Sequence, residues 1–494
     1  MSDSQKKLPS WWVEDTFDVL FRNVTSSALK IQQKNYKHFG KYPVIDQGQD
    51  LIGGYTDNEK LLHPNMPPLI VFGDHTRCLK FVDFRFSQGA DGVKVLEPNI
   101  FMDPKYCFWA LKQTSLPDKG YSRHYKFLKN SLLPIPPFNE QKRIVTRIEE
   151  LQTRSRRAKE ALESIPDLLE QLRQSILAAA TSGKLTEDWR DNHPNTQSMS
   201  ELVTQTNTLR MQKIMTENLK EGFNRFRYQP ASLIELGNKT KGIDELFDLP
   251  NTWEWVSLGQ VTWSVADGPH FSPKYVDGRD GIPFISGRNI SYKGIDFSDA
   301  KHVSHQDHIE FTRRAHPCVG DVLLTKGGTT GIATVVEEKR DFSIWVHVAL
   351  LKVVDDLISP FYLRDALTAP LAYVQTQAQT HGVGNQDLGL TRMVHIAIPL
   401  PPIAEQHEIV KRVEELFKIA GQVEERYSQV KKHLNTIDQS ILSKAFHGEL
   451  VPQDHNDEPA AILLDRVCQE KAREAAQPKA KAIRKAKNHV HAEF

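Results

Sequence analysis

Two stretches of the chain carry apolar positions at alternating spacings of four and three. In the first, Ile144, Ile148, Leu151, Ser155, Ala158, Leu162, Ile165, Leu169, Leu172, Ile176 and Ala179 keep that rhythm. In the second, Ile409, Val413, Leu416, Ala420, Val423, Tyr427, Val430, Leu434, Ile437 and Ile441 do. A sustained four-three seam predicts a helix with coiled-coil a and d positions. Pro136-Pro137 and Pro401-Pro402 stand at the predicted starts, and Gly183 and Gly448 at the predicted ends. Proline tolerates a helix N-terminus and glycine a left-handed stop. Asn139 is the expected N-cap of the first helix, whereas Ala404 is a poor cap for the second. Pro166 removes a helix hydrogen bond. Because the seam keeps its phase across it, a kink is expected and not a loop. A helix of about 44 residues is roughly 66 Å long at about 1.5 Å per residue. That is about two turns of B-DNA at roughly 34 Å each.

The two stretches are copies. PIPPFNEQKRIVTRIEEL at 134–151 answers PLPPIAEQHEIVKRVEEL at 399–416, and QSILAAATSGKL at 174–185 answers QSILSKAFHGEL at 439–450. Glu140 to Glu405 and Gly183 to Gly448 are the same shift of 265 positions, so the copies align without a gap. Exposed-type residues match as well as apolar ones, which helix composition alone does not produce. Equal lengths and a shared register favour mutual pairing, antiparallel being the simpler arrangement. The alternative is that each helix packs on its own domain.

Regions 1–132 and 249–397 precede the two helices. Each opens on a Leu-Pro phrase followed by tryptophan: Leu8-Pro9 with Trp11-Trp12, and Leu249-Pro250 with Trp253 and Trp255. Short apolar runs such as KYPVID, PLIVFGD, IPFIS and GDVLLTK are broken by Gly, Asp, Asn and Pro. That texture predicts short strands, tight turns and a few helices, an α+β class. The expected plan is therefore two globular domains at 1–132 and 249–397, with helical segments at 133–190 and 398–452. A polar linker at 191–248, helical near Leu209–Lys213, and a C-terminal segment at 453–494 with a basic tail (Lys479, Lys481, Arg484, Lys485, Lys487) complete it.

Composition narrows the classes. At 494 residues the chain is too long for a single core. A formal net charge of +1 excludes a uniformly basic surface and leaves local basic faces open. Cys78, Cys107, Cys318 and Cys468 are far apart and form no CxxC pair, so reduced, mostly packing cysteines are expected and no metal site. No stretch of 18 apolar residues and no signal-like start occurs, which points to a cytoplasmic protein without a membrane span. His302, His305 and His308 read as an exposed helix face. LysGlyGlyThrThrGly at 326–331 misplaces the lysine of a phosphate loop, and neither HExxH nor an Asn/Asp-Pro-Pro-Tyr motif occurs. No catalytic residue is assigned.

The candidate chemistry lies in polar loops. Lys34, Tyr36 and Lys37 form one set and His75 and Arg77 another in the first region. Arg288 and Asn289, Lys326, Thr329 and Thr330, and His381 and Asn385 form three sets in the second. Arg, Lys and Asn pair with base edges, and Thr and Gly let backbone amides approach phosphates. Each loop taken alone is at least as readable as an ordinary solvated turn.

The helix starts PIPPFNEQ (134–141) and PLPPIAEQ (399–406), the helix ends QSILAAATSGKLTEDWR (174–190) and QSILSKAFHGELVPQD (439–454), and the Leu-Pro…Trp openings resemble the specificity subunit of type I DNA restriction–modification systems over nearly the whole chain. The resemblance implies two target-recognition domains, each reading half of a split, asymmetric sequence in double-stranded DNA. It implies an antiparallel coiled coil that spaces them, with a pseudo-two-fold internal repeat. Two methyltransferase subunits would dock on the helices, the candidate positions being Ile144, Ile148, Leu151, Leu162, Leu169, Leu172, Ile409, Val413, Leu416, Leu434 and Ile437. S-adenosylmethionine, ATP and magnesium would belong to the methyltransferase and motor-nuclease partners, none to this chain. Pro166, opposite Lys431, departs from the symmetric pattern. A coiled-coil scaffold that binds only protein is the competing class. The recognition part of a single-chain enzyme would need a fused catalytic region.

Overall fold

Both proline pairs open helices. In a computed structural model that describes residues 8–90, 92–117, 122–194, 206, 208–216, 246–278, 280–355, 357–382 and 387–476, the first copy runs Phe138–Glu163 and Ile165–Thr181 and the second runs unbroken from Ile403 to Phe446. The first is interrupted at Ser164 alone, with Pro166 in the first turn of the second segment. Asn139 lies inside the first turn and is not the cap; Pro137 O accepts the first bond, from Gln141 N. Gly183 and Gly448 follow the helix ends with φ of +78° and +73°, a backbone that glycine adopts without a Cβ penalty.

The chain divides into two compact units, residues 1–163 with 428–494, and residues 164–427. Each unit therefore holds one β-rich region, the beginning of its own helix and the end of the other copy. In the first unit, Lys159 pairs with Asp438 at 2.7 Å while Glu140 accepts from Gln453 at 2.8 Å, so the two helical segments run antiparallel. In the second, Arg173 pairs with Glu424 at 2.7 Å and Arg412 with Asp188 at 2.6 Å, again antiparallel. Ile144, Ile148, Ile409 and Val413 are fully buried because each packs on its β-rich region as well as along a helix. Leu172, Val423, Val430 and Ile437 stay 40–46% exposed. A helix with one neighbour covers its seam on one side only.

The β-rich part of the first unit starts with β1 (Val13–Thr16), β2 (Phe21–Asn23), β3 (Lys30–Ile31), β4 (Tyr42–Ile45) and β5 (Gly54–Thr56). It continues with β6 (Leu69–Gly73), β7 (Leu79–Val82), β8 (Ser87–Gly89), β9 (Val93–Pro98) and β10 (Leu132–Ile135). One sheet has the order β2-β9-β6-β7, the other β3-β8-β4-β5. The apolar run at β6 is a central strand buried at every position, and β8 runs parallel to β4. In the second unit, β11 (Glu254–Ser257), β12 (Thr262–Asp267), β13 (Ile282–Ile285), β14 (Ile290–Ser291), β15 (Gly294–Ile295) and β16 (Lys301–Val303) come first. They are followed by β17 (Val322–Thr325), β18 (Ala333–Val335), β19 (Ser343–Ile344), β20 (Val348–Val353) and β21 (Ala397–Leu400). The sheet β12-β20-β17-β18 repeats β2-β9-β6-β7, and β13 lies parallel to β19 as β4 does to β8. Two sequences that diverge in content thus share a frame.

Repeat residues tie frame to helix in the same way twice. β1 pairs with β10 and β11 with β21, joining the opening strand to the one before each helix. Tyr106 donates to Pro134 O at 2.8 Å and Tyr362 to Pro399 O at 2.7 Å. Gln141 accepts from Asp103 N and donates to Pro136 O; Gln406 accepts from Ser359 N and donates to Pro401 O. A Cβ at Gly448 would meet Pro9 at 2.3 Å, and one at Gly183 would meet Pro250 at 2.5 Å. The Leu-Pro phrases thus sit on the helix ends. The expected helix at Leu209–Lys213 forms, with Arg210 buried and donating to Thr262 O at 2.8 Å. Residues 195–205, 207 and 217–245 of the linker and the basic tail lie outside the described residues.

Candidate nucleic-acid interface

In the first unit the ends of β4, β6 and β8 converge, and backbone without side chains brings them together. A Cβ at Gly92 would lie 2.4 Å from Gln47 Oε1 and 2.9 Å from the His75 ring. Thr76 Oγ1 donates to Gln47 O at 2.7 Å, closing the β6–β7 turn onto β4. Tyr36 lies flat against this corner: its hydroxyl would sit 2.5 Å from a Cβ at Gly89. Burial and the neighbouring Asp46 carboxylate push that phenol up to about 12. Asp46 also receives the buried Lys80 ammonium at 3.4 Å. Buried Asp74 anchors the turn from below, its carboxylate accepting from Tyr125 N at 2.8 Å.

Of the sequence candidates, Tyr36 and His75 reach this corner and Arg77 lies in the β6–β7 turn beside it. Lys34 is exposed in a short 3-10 turn, Gln33–Asn35. Lys37 is exposed and paired with Asp57 at 2.8 Å. Arg77 is exposed at φ 60°, the left-handed region, unusual for a residue with a side chain. Tyr36 is half spent on structure, filling the space that Gly54 and Gly89 leave.

The second unit builds its corner from the ends of β13, β17 and β19. A Cβ at Gly268 would be 1.8 Å from Ile344 O, and one at Gly327 2.0 Å from His347 Nδ1. Beneath lies an ion network around Asp267, whose side chain is buried. It accepts from Arg314 Nη2 at 2.5 Å, from Lys326 Nζ at 3.4 Å and faces His270 Nε2 at 3.3 Å. Lys326 reaches on to Asp387 at 2.8 Å. Trp345 stands edge-on to His347 with ring centroids 4.6 Å apart.

Here the structure reassigns several candidates. Lys326 is buried between two carboxylates and has no free face for a phosphate. Asn289 is buried; its amide oxygen accepts from Ser286 N and Oγ and its nitrogen donates to Asp296 O, so it braces its own turn and does not face solvent. Thr330 is buried and accepts from Gln377. These three hold the loops that carry Arg288, Thr329 and His381, all exposed. Arg288 donates to Asp299 O at 3.0 Å across its own turn. Asn385 lies outside the described residues. Gln47, Asp267, His270, Arg314, Trp345 and His347 escaped the sequence reading. The phrase Asp-Gly-Pro-His at 267–270, a turn at a strand end, was their one local signal.

The helix side of each unit carries a groove at a repeat-equivalent place. In the first it is open, about 1290 Å³, and lined by Lys112, Glu149, Gln152, Arg156 and Asp438. A shift of 265 turns the last four into Glu414, Phe417, Gly421 and, in reverse, Arg173, all lining the second groove of about 520 Å³. The β14–β15 hairpin fills part of that one with Tyr292. Its hydroxyl donates to buried Asp365 at 2.6 Å, and its ring lies 5.0 Å from that of Phe417 and 4.4 Å from the Arg364 guanidinium.

Among the described residues there is no cluster of three or more His, Cys, Asp or Glu arranged for a metal, and no helix long and apolar enough to cross a membrane. His308 turns its imidazole to Ser343 Oγ at 2.9 Å, away from His302 on β16. No disulfide joins the cysteines, and only Cys107 is buried; Cys318 and Cys468 are exposed, against the expectation of packing.

Residues 250–432 match the model of the type I restriction modification DNA specificity domain. Over 366 residues the chain is 30% identical to the specificity subunit of type I restriction enzyme EcoBI from Escherichia coli, covering 72% of this chain and 68% of that one. It belongs to the type I restriction specificity subunits. The StySPI specificity subunit of Salmonella potsdam is 26% identical over 511 residues, spanning 94% of this chain and 96% of its own. The fold agrees: the HsdS subunit from Thermoanaerobacter tengcongensis superposes with a TM-score of 0.51 at 19% identity, over 91% of this chain and all of that one. A chain from a study of complex assembly and conformational transition of the type I R-M system superposes with a TM-score of 0.57 at 18% identity, over 90% of this chain and 99% of that one. As a specificity subunit, this chain recognises DNA sequence within a restriction–modification complex and is not its catalytic component.

Proposed function

We propose that each strand-end corner reads one half of a bipartite, asymmetric target in double-stranded DNA, in the cytoplasm. The observation that carries this reading is the duplicated frame: the same sheet order and the same parallel pair, ending in loops of different composition. A fixed frame with divergent loops is what reading two unrelated half-sites requires. In this reading Arg77, Arg288 and Arg314 are the base-edge or phosphate contacts, and the backbone at Gly328, where a Cβ would meet nothing within 4 Å, admits close approach. Two methyltransferase subunits dock on the helical segments, and motor-nuclease subunits join through them. S-adenosylmethionine, ATP and magnesium are bound by those partners, with no cofactor held by this chain.

The test exchanges residues 249–397 for the matching region of a relative with a different target and maps methylated adenines in a host carrying the assembled system. One half of the methylated sequence should change and the other persist. A change in both halves, or in neither, would refute the modular reading.

A further inference from the structure

Arg314 in the second corner is held along one edge of its guanidinium and open along the other. Its Nε donates to the backbone oxygen of Asp267 at 3.1 Å, and its Nη2 donates to the Asp267 carboxylate. That carboxylate is 2% exposed, and its second oxygen faces the buried Lys326 ammonium at 3.4 Å. Two bonds to one buried residue fix the plane of the guanidinium. The backbone is fixed as well: Arg314 N donates to Phe311 O at the end of the helix His305–Thr312, and Ala315 beside it is buried. Yet the Arg314 side chain is 54% exposed. Among the described residues nothing accepts from its Nη1, and the His270 ring nitrogen stands 3.4 Å from Nη2. That nitrogen lies 3.3 Å from the same carboxylate oxygen. With its proton on Nε2, His270 donates there and leaves Arg314 its end-on pair of N–H groups.

A buried carboxylate that needed only a counter-ion would have one in Lys326. The first corner shows that simpler case: Asp46 receives the ammonium of Lys80, which is itself buried, and among the described residues no arginine reaches it. In the second corner the carboxylate holds an arginine as well, with that arginine's outer edge in solvent. We infer that Arg314 reads a guanine in the half-site of the second domain, through its end-on N–H pair to O6 and N7 in the major groove, with Asp267 as the positioning residue that sets its plane. The inference rests on the DNA-reading proposal and narrows one of its contacts to one base. Guanine is the base whose major-groove edge carries two adjacent acceptors, which a planar donor fork meets together. A phosphate tolerates donors from many directions, whereas a base edge does not, and a fork whose plane is set before binding loses little freedom on meeting it.

The experiment uses the chain assembled with its methyltransferase subunits and the target defined by methylation mapping, the exchange of 249–397 showing which half belongs to the second domain. Duplexes carry 7-deazaguanine, which lacks the N7 acceptor, at each guanine in turn; inosine at the same places keeps N7 and O6. In the native complex 7-deazaguanine at one guanine of the second-domain half should weaken binding about tenfold, and inosine there should not. Arg314→Ala should lose at least that factor on the natural target, and 7-deazaguanine at that position should then weaken binding no further. Arg314→Lys keeps the charge without the fork, so it should lose the preference for that base pair and keep its affinity for random duplex. Asp267→Asn, compared where it is folded, should show a smaller 7-deazaguanine effect; a full effect would make Asp267 a structural residue only. Where Asp267→Asn does not fold, the two Arg314 variants decide. A second-domain half without a G·C pair, unchanged target binding by Arg314→Ala, a 7-deazaguanine effect that survives Arg314→Ala, or a loss equal on target and random duplex, as a phosphate contact gives, overturns the guanine assignment alone. A complex that binds its target no better than random duplex overturns the DNA-reading proposal and the assignment with it.

Discussion

The indole N–H of Trp253 donates to Glu405 Oε2 at 2.8 Å, joining the first turn of a recognition domain to the first turn of its helix. Trp12 does the same to Glu140 Oε2 at 3.1 Å, 265 positions from Glu405 to Glu140. The remaining acceptor capacity is satisfied differently. Glu405 receives Thr186 Oγ1 and the Arg190 guanidinium, whereas Glu140 receives the neutral amide of Gln453. The two locks are thus equal in geometry and unequal in charge.

Burial raises the Glu140 carboxyl above its ordinary value of 4.5, against the lowering effect of the Trp12 bond. A raised folded value means that the protonated form fits the site better. The stability linked to Glu140 is therefore complete below the ordinary value and is lost as pH rises through the folded one. Glu140→Gln should remove this dependence. Denaturant midpoints of the native chain relative to the variant should be more favourable near pH 4 than near pH 8. An offset that does not change with pH would contradict the assignment.

Tyr292→Phe deletes a hydrogen bond to a buried carboxylate and should destabilise the second unit by about 1–3 kcal/mol. Tyr292→Ala also removes the ring from Phe417 and Arg364 and should cost more. Chemical unfolding followed by tryptophan fluorescence measures both. Equal stability of Phe and native side chains would mean that the bond to Asp365 contributes nothing.

Lys326 and Arg288 were indistinguishable as sequence candidates, and their variants should separate cleanly. Lys326→Ala leaves Asp267 and Asp387 short of a partner and should destabilise by about 3 kcal/mol. Arg288→Ala should leave the unfolding midpoint unchanged. If Arg288 meets a phosphate, the slope of log affinity against log salt in the assembled complex should fall by about 0.9. The reverse pattern, a stable Lys326→Ala with a reduced salt slope, would return Lys326 to the DNA.

Gly268→Ala places a methyl group on the carbonyl of Ile344, a backbone atom that cannot move aside, and should disrupt the second corner. Gly287→Ala meets nothing closer than 3.7 Å and should be tolerated. Comparing expression, midpoint and target methylation of the two variants checks whether the corner depends on bare backbone at 268. Full activity of Gly268→Ala would show that it does not.

The sequence by itself determined the helices, their ends and their duplication. These rest on local physics: a four-three spacing, proline at a helix start, glycine at a left-handed stop, each legible within a few residues. It also determined that the duplicated Glu-Gln and Leu-Pro…Trp phrases matter, since exposed-type residues matched as well as apolar ones. Tertiary structure alone decided which loop residues are free. Asn289, Lys326 and Thr330 read as polar loop residues, yet their partners Ser286, Asp296, Asp267, Asp387 and Gln377 include residues up to 61 positions away, and burial took them out of solvent. Gln47 and His347 follow strands paired only in space, β4 with β8 and β19 with β13, and Arg314 is held at its corner by Asp267, 47 positions away, none of which a short window encodes. Helical periodicity is a property of neighbours in the chain; a strand-end site is a property of neighbours in space.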